Sequence, residues 1–210
     1  MPWRELTEAT AAWDLVRTLP VRSGMFLQTP AWAQFQQAQG LTTRCLGWYV
    51  NGELKGMAQL VRHDLPFGVC YWLAPKGPSF AASIPVAACQ AAQSELVTHL
   101  SSERPLFLRL EPAHEPQAGV RTFDENPRAT SIVDLSVPLE QIFARMHEKT
   151  RYNIRLAERK GLRFHWAGVE ALGSFWKLLQ ATAAREHFHT RRPLYHRRFE
   201  LAQAAAKSLG

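Results

Sequence analysis

Apolar positions along the chain alternate between helical spacing and the two-residue spacing of strands. Two local signals are clear: Thr29-Pro30, an N-cap followed by a first-turn proline, and Asn51-Gly52, which favours a tight β-hairpin. The predicted elements are helices over 3–18 and 30–39, strands over 44–50, 53–62 and 69–73, a helix over 85–100, strands over 106–110 and 131–135, a helix over 138–160, a strand over 163–167, and helices over 172–188 and 195–207. This order predicts an α+β fold in which a mixed sheet is flanked by helices.

The predicted helix over residues 138–160 has a cationic face. At about 100° per residue, Arg145, Lys149, Arg155 and Arg159 share an arc of roughly 120° with Tyr152. Guanidinium forks suit phosphate oxygens and a lysine supplies a point charge, so this stripe is a candidate anion site. An ordinary solvent-exposed helix face with pairing between neighbouring turns accounts for the same pattern. The helix alone therefore leaves both interpretations open.

The distribution of charge favours an anionic ligand. Residues 1–140 hold 11 Lys and Arg against 13 Asp and Glu, whereas residues 141–210 hold 14 against 5, a net of +9. A one-sided positive field attracts polyanions such as phosphates, RNA or an anionic membrane. With 46% hydrophobic residues in 210, the chain is also long enough to bury a sizeable core.

Several classes of protein are disfavoured by missing motifs. The chain has three cysteines, Cys45, Cys70 and Cys89, which form no CxxC pair and have no histidine at metal-ligand spacing. We therefore expect neither a disulfide framework nor a metal site, and we expect the protein to reside in a reducing cytoplasm. The first residues have no signal-peptide character, and apolar runs are too short to span a membrane. No P-loop, GxGxxG or acetyl-CoA pyrophosphate loop occurs, so we expect no cofactor. No nucleophile and base can be paired from the sequence, so catalytic residues stay unassigned.

Four motifs, found in order between residues 26 and 200, resemble those of the Fem-type (FemABX) peptidoglycan aminoacyltransferases. They are Phe26-Leu27-Gln28-Thr29-Pro30-Ala31-Trp32; Trp72-Leu73-Ala74-Pro75-Lys76-Gly77-Pro78; Asp134-Leu135 followed by Lys149-Thr150-Arg151-Tyr152-Asn153-Ile154-Arg155, Ala157 and Lys160-Gly161; and Phe175-Trp176, Thr182, Arg185, Phe188, His189 and Tyr195. Each motif alone is of moderate specificity, but four in the family's order are hard to obtain by chance.

The resemblance implies two tandem acetyltransferase-like (GNAT-like) domains, the first over 1–162 and the second beginning at 163–210. Family members transfer an amino acid from aminoacyl-tRNA to the stem-peptide amine of a peptidoglycan precursor that carries a diphosphate, either UDP-MurNAc-peptide or lipid II. The implied partners are therefore aminoacyl-tRNA and the precursor. A peripheral membrane contact and a partner chain that completes the second domain are further expectations of the same kind.

The resemblance also assigns residues to the precursor site. By residue-wise matching, the residues that would contact or frame the diphosphate are Lys149, Arg151, Tyr152 and Arg155. Those that would line the rest of the site are Gln28, Trp32, Tyr71 and Lys76. Helical periodicity singles out three of the first four without the resemblance, and Arg151 is the residue that the family adds.

Two other functions are weighed against this interpretation. A basic RNA-binding module without catalysis would explain the positive last third of the chain. RNA-binding sheets carry exposed aromatic residues on adjacent strands, and none is evident in the sequence. A GNAT-like acyltransferase that uses acyl-CoA would need the pyrophosphate loop that is missing here.

Overall fold

The structure, a computed structural model, describes residues 2–7, 9–19, 25–114, 116–117, 119–122 and 131–190. The chain divides into two compact units, one of Met1–Thr122 with His189–Gly210 and one of Phe123–Phe188, and each is described by itself. The domain boundary expected near residue 162 stays a prediction. The helix predicted over 195–207 lies outside the described residues.

The first unit is built on a mixed β-sheet. Its strands and helices are β1 (Trp3–Glu5), α1 (Ala9–Thr18), α2 (Pro30–Ala38), β2 (Thr43–Val50), β3 (Glu53–Asp64), β4 (Cys70–Ala74), β5 (Ser79–Phe80), α3 (Val86–Ser101) and β6 (Leu108–Leu110). The strand order is β1-β2-β3-β4-β6, with β5 paired to β3. All pairs are antiparallel except β4 and β6, which are parallel. The predicted mixed sheet with flanking helices is confirmed.

Helices cover the two faces of this sheet. On one face, α3 packs against a cluster of buried residues that includes Leu46, Leu60 and Trp72. On the other face, α1 packs against Met57. The helix predicted over 3–18 is wrong at its start, because residues 3–5 form β1 and pair with β2. Burial of Trp3 explains this, since its indole N–H donates to the Ala92 carbonyl of α3 at 2.8 Å.

Two hairpin turns in the sheet each contain two consecutive residues with positive φ. Between β2 and β3, Asn51 and Gly52 have φ values of 50° and 84°, as a type I′ turn requires, so the predicted hairpin is confirmed. Between β3 and β4, Phe67 and Gly68 have φ values of 66° and 72°. Phe67 is fully exposed, so this turn holds an aromatic residue in a strained conformation without burying it.

We expect Phe67→Asn to raise the free energy of unfolding by about 1 kcal/mol, because asparagine tolerates the left-handed conformation that a bulky aromatic residue resists. Since the Phe67 side chain is fully exposed, the substitution forfeits no burial. Urea unfolding at pH 7 measures the change. Phe164→Asn is a matched control, because Phe164 is also exposed but has no positive φ. An equal or lower stability for Phe67→Asn would contradict the expectation.

The second unit contains three described α-helices, α4 (Leu139–Arg145), α5 (Glu148–Arg159) and α6 (Leu172–Glu186). The prediction of one continuous helix over 138–160 is wrong, because Met146 and His147 have extended ψ values of 148° and 144°. The strands predicted over 131–135 and 163–167 are also absent from the described residues. Near the first of these segments, Ser136 donates to the Asp134 carboxylate from its hydroxyl at 2.6 Å and its N–H at 2.9 Å. This local turn competes with strand formation.

The cysteines form no disulfide: Cys70 and Cys89 are buried and Cys45 is half-buried. Burial, with a smaller contribution from the charge of Glu5, raises the pKa of the Cys45 thiol to about 12. Burial also raises the pKa of the Cys89 thiol. Among the helices of the described ranges, none has the length and apolar character needed to cross a bilayer.

Candidate functional site

The cationic face predicted from the sequence lies on α5. Lys149, Tyr152 and Arg155 are exposed and follow one another at intervals of one helical turn. The guanidinium carbon of Arg159 lies 5.9 Å from the Tyr152 ring centroid, within the range of a cation–π contact. Arg145 belongs to α4, so the break removes it from the predicted stripe. The stripe therefore consists of residues of α5 alone.

Side chains hold the break between α4 and α5. His147 caps α5, because its Nδ1 accepts a hydrogen bond from the Lys149 N–H at 3.2 Å. The Arg151 guanidinium donates to the Ala144 carbonyl at 3.3 Å and also to the Met146 carbonyl. These carbonyls belong to the C-terminal end of α4, where a cation is favoured by the helix dipole. In this structure Arg151 thus holds the base of α5, and its contact with a diphosphate stays a prediction.

We expect Arg151→Lys to destabilise the connection between α4 and α5 although it keeps the charge. One ammonium group cannot span two carbonyls as a guanidinium fork does. Loss of these bonds should reduce the local stability of α5 by about 1–2 kcal/mol. Amide hydrogen exchange of residues 148–152 would report the change as faster exchange. The matched control is Arg185→Lys on α6, whose partner Glu186 is a side chain next to it. If the amide exchange rates of residues 148–152 are unchanged in Arg151→Lys, the hydrogen bonds of Arg151 to α4 do not stabilise the start of α5.

In the first unit, Gln28 is fully buried. Its Nε2 donates to the carbonyls of Gln59 at 3.3 Å and Pro75 at 2.6 Å, and its Oε1 accepts from the Gln59 N–H at 2.9 Å. Both ends of the amide are therefore engaged by backbone groups of β3 and of the loop after β4. Gln28 was predicted to line the precursor site, but in this structure its contacts hold that loop in place.

The loop after β4 is shaped by its contacts with Gln28. A Cβ atom on Gly77 would lie 2.5–2.6 Å from the amide atoms of Gln28, so only glycine fits there. The Gly77–Pro78 peptide bond is cis. Lys76 has a φ of 55°, and its N–H donates to the Glu111 carboxylate at 3.3 Å. These contacts fix the backbone of Lys76, so its partly exposed side chain extends from a defined point of the loop.

Trp32 and Tyr71 lie in separate aromatic groups of the first unit. Trp32, near the start of α2, has its ring centroid 5.7 Å from that of Phe26 and 5.1 Å from that of Phe35. Tyr71 lies on β4, five residues before Lys76. Of the predicted residues in this unit, the structure therefore brings Gln28 to the backbone of the Lys76 loop and gives Trp32 and Tyr71 other neighbours.

Tyr71 is the middle of a row of stacked rings, which we call the aromatic row: His63, Tyr71 and Phe107. The ring centroids of His63 and Tyr71 are 4.8 Å apart at an interplanar angle of 10°, and those of Tyr71 and Phe107 are 4.6 Å apart at 18°. The sequence shows no exposed aromatic residues on adjacent strands, and in the structure His63 and Tyr71 of the row are half-buried, whereas Phe107, just before β6, is exposed. The β3–β4 register, which pairs His63 with Tyr71, could have revealed the first contact.

Within the described ranges, no group of three or more His, Cys, Asp or Glu side chains is placed to hold a metal ion. The site residues described above offer cations, hydrogen-bond donors and stacked rings. These groups suit the binding and orientation of an anionic or planar ligand.

Comparisons with known proteins agree with the motifs. The FemAB family profile matches residues 20–126 and 117–202. A lipid II:glycine glycyltransferase of Staphylococcus haemolyticus (strain JCSC1435) is 25% identical over 199 residues, which cover 80% of this chain and 45% of that protein. A crystal structure of FemX matches with a TM-score of 0.70 and 19% identity, over 96% of this chain and 55% of that one. The chain thus spans about half the length of these relatives.

The FemX match agrees with the mixed sheet and its flanking helices, and the expected α+β, GNAT-like fold class is confirmed. The profile match is independent of that structural likeness and extends from the segment before α2 past the end of α6. Because the matched residues make up most of the sequence, the chain belongs to the FemAB family.

Proposed function

We propose that this chain carries the precursor-binding part of a peptidoglycan aminoacyltransferase. Its reaction would transfer an amino acid from aminoacyl-tRNA to the stem-peptide amine of UDP-MurNAc-peptide or a lipid-linked precursor. The observation that carries the proposal is the exposed cationic face of α5 in a chain of the FemAB family. The relative named as a lipid II:glycine glycyltransferase supports the same class of acceptor.

The electrostatics of α5 suit the diphosphate that both precursors contain. The helix carries four cations, Lys149, Arg151, Arg155 and Arg159, against two carboxylates, Glu148 and Glu158. Lys149 and Arg155 are exposed, so they can approach phosphate oxygens without first giving up a buried partner. Charge-assisted bonds of this kind are about twice as strong as neutral hydrogen bonds.

The reaction is the aminolysis of an ester. The stem-peptide amine attacks the aminoacyl carbonyl carbon, an amide bond forms, and the ester bond to the tRNA ribose breaks. The amine loses a proton and the ribose oxygen gains one, so the reaction is balanced without a cofactor. The binding groups on this chain would act by orienting the acceptor, and orientation of two reactants contributes on the order of 7–11 kcal/mol in favourable cases.

Titration of the protein with UDP-MurNAc-pentapeptide, followed by isothermal calorimetry, tests the proposal. We expect saturable binding that weakens as salt is raised, because exposed charges are screened. The matched ligand is the same muropeptide without its diphosphate, which should bind much more weakly. Equal binding of the two ligands, or none by the folded protein, would reject the proposed role of the diphosphate.

A basic RNA-binding module without catalysis is the second candidate. The net charge of +9 over residues 141–210 favours it. It predicts RNA affinity that falls steeply with salt and an absence of specific binding to the muropeptide. The same calorimetric titration, repeated with tRNA and at rising salt, separates the two candidates.

A further inference from the structure

The aromatic row has the geometry of a stacking platform that stops at the edge of the sheet. Its rings come from β3, from β4 and from the residue that precedes β6. The spacings of 4.8 and 4.6 Å match the distance of about 4.8 Å between neighbouring strands, so successive rings of the stack are one strand spacing apart. Beyond β6 no further strand pairs with the sheet in the part of the chain that the structure describes.

The outermost ring is accessible. Phe107 is 46% exposed, whereas the rings of His63 and Tyr71 are less exposed and half-buried. A planar group placed one strand spacing beyond Phe107 would therefore continue the stack at the open edge. Every nucleobase has a planar face of this kind, and stacking on an aromatic side chain is how proteins bind unpaired bases without sequence preference.

The charges around the row favour a ligand that carries phosphates. Arg104 is exposed three residues before Phe107. The carboxylates that neighbour the row in sequence are already paired: Asp64 contacts Arg62 at 3.0 Å, and Glu103 contacts Arg44. A cation beside a stacking platform is the combination that single-stranded nucleic acids require.

We propose that Phe107 is a stacking site for an unpaired base of RNA, with Arg104 facing the adjoining phosphate. The inference rests on the proposed function, because it assigns the aminoacyl-tRNA donor to this edge of the sheet. A uracil of the nucleotide precursor is the less suitable source, because Phe107 lies beside the start of β4, whereas Lys76, which is predicted to line the precursor site in this unit, follows the other end of that strand.

The test compares a fluorescein-labelled single-stranded RNA hexanucleotide with an abasic strand of the same length and charge, by fluorescence anisotropy. Phe107→Leu should weaken binding of the hexanucleotide by about 5- to 100-fold, because stacking on one side chain is lost. Binding of the abasic strand, and the dependence of affinity on salt, should not change. Phe107→Trp should retain or strengthen binding of the hexanucleotide, since it keeps a ring.

Phe164→Leu is the matched control, because Phe164 is 83% exposed and lies outside the aromatic row. Competition with UDP distinguishes the two sources of the base. The proposal is overturned if the abasic strand binds the wild-type protein as tightly as RNA, if Phe107→Leu and Phe164→Leu behave alike, or if Phe107→Leu weakens binding of UDP but not of RNA. No muropeptide takes part, so a negative result here is distinguishable from failure of the precursor titration.

Discussion

Replacing Gly77 with alanine is expected to lower the free energy of unfolding of the first unit by about 2–4 kcal/mol, because it combines overpacking with the loss of buried hydrogen bonds. The added Cβ would lie 2.5–2.6 Å from the side-chain amide of Gln28. Gln28 is fully buried and bonded to Gln59 and Pro75, so it cannot move aside without leaving these backbone groups unpaired. Urea unfolding followed by tryptophan fluorescence measures the loss.

Gly40→Ala is the matched control for this substitution. Gly40 has a φ of 86° and no atom within 4 Å of its built Cβ, so alanine there meets backbone strain but no clash. That strain should cost about 1 kcal/mol. A double-mutant cycle between Gly77→Ala and Gln28→Ala isolates the contact, and we expect the two changes to be strongly non-additive. If Gly77→Ala costs no more than Gly40→Ala, Gln28 does not hold the loop as the structure indicates.

The largest effect on binding is expected from replacing both Lys149 and Arg155 with glutamine. Removal of two charge-assisted contacts should weaken UDP-MurNAc-pentapeptide binding by at least about 100-fold, since each such bond contributes roughly 1.5–3 kcal/mol. Both side chains are exposed, so the free energy of unfolding should change little, apart from the stacking of Arg155 on Phe143 at 5.3 Å. Calorimetric titration of the folded variant gives the affinity.

The control for the double variant removes the same type of charge elsewhere in the second unit. Lys177→Gln with Arg185→Gln changes the net charge equally on α6, outside the predicted site. Only a small, salt-dependent loss of affinity is expected from that pair. If the two double variants lose affinity to the same extent, the muropeptide responds to overall charge, and α5 has no particular role.

The sequence predicts elements well where the signal is local. Thr29 caps α2 as expected, because its hydroxyl accepts from the Trp32 N–H at 3.3 Å. Asn51-Gly52 forms the expected hairpin because the positive φ values of that turn are an intrinsic preference of these two residues. In both cases the residues that determine the structure are within a few positions of the structure they form.

The break between α4 and α5 could not be predicted in the same way. Neither glycine nor proline occurs between residues 139 and 160, so propensity and periodicity favour one continuous helix. The break depends instead on side chains that bond to backbone groups, His147 to the next turn and Arg151 to the end of α4. Such bonds depend on three-dimensional geometry that helical periodicity does not represent.

In the candidate site, too, features set by neighbouring residues are predictable and features set by tertiary contacts are not. The exposed cations of α5 follow from the helical repeat, whereas the buried position of Gln28 does not, because a glutamine in a polar motif is ordinarily expected at the surface. The aromatic row was missed for a related reason. Phe107 joins Tyr71 through the parallel β4–β6 pair, and pairing between strands separated by a helix cannot be read from local patterns.

The chemistry of the three native thiols makes this protein suited to site-specific labelling. Because burial raises the pKa of the Cys45 thiol to about 12 and also raises the pKa of the Cys89 thiol, neither supplies much of the thiolate with which maleimides react at neutral pH. Cys70 is shielded by burial. A cysteine introduced at the exposed position of Asn153 on α5 would therefore carry a dye in preference to the native thiols, next to the residues proposed to receive the diphosphate.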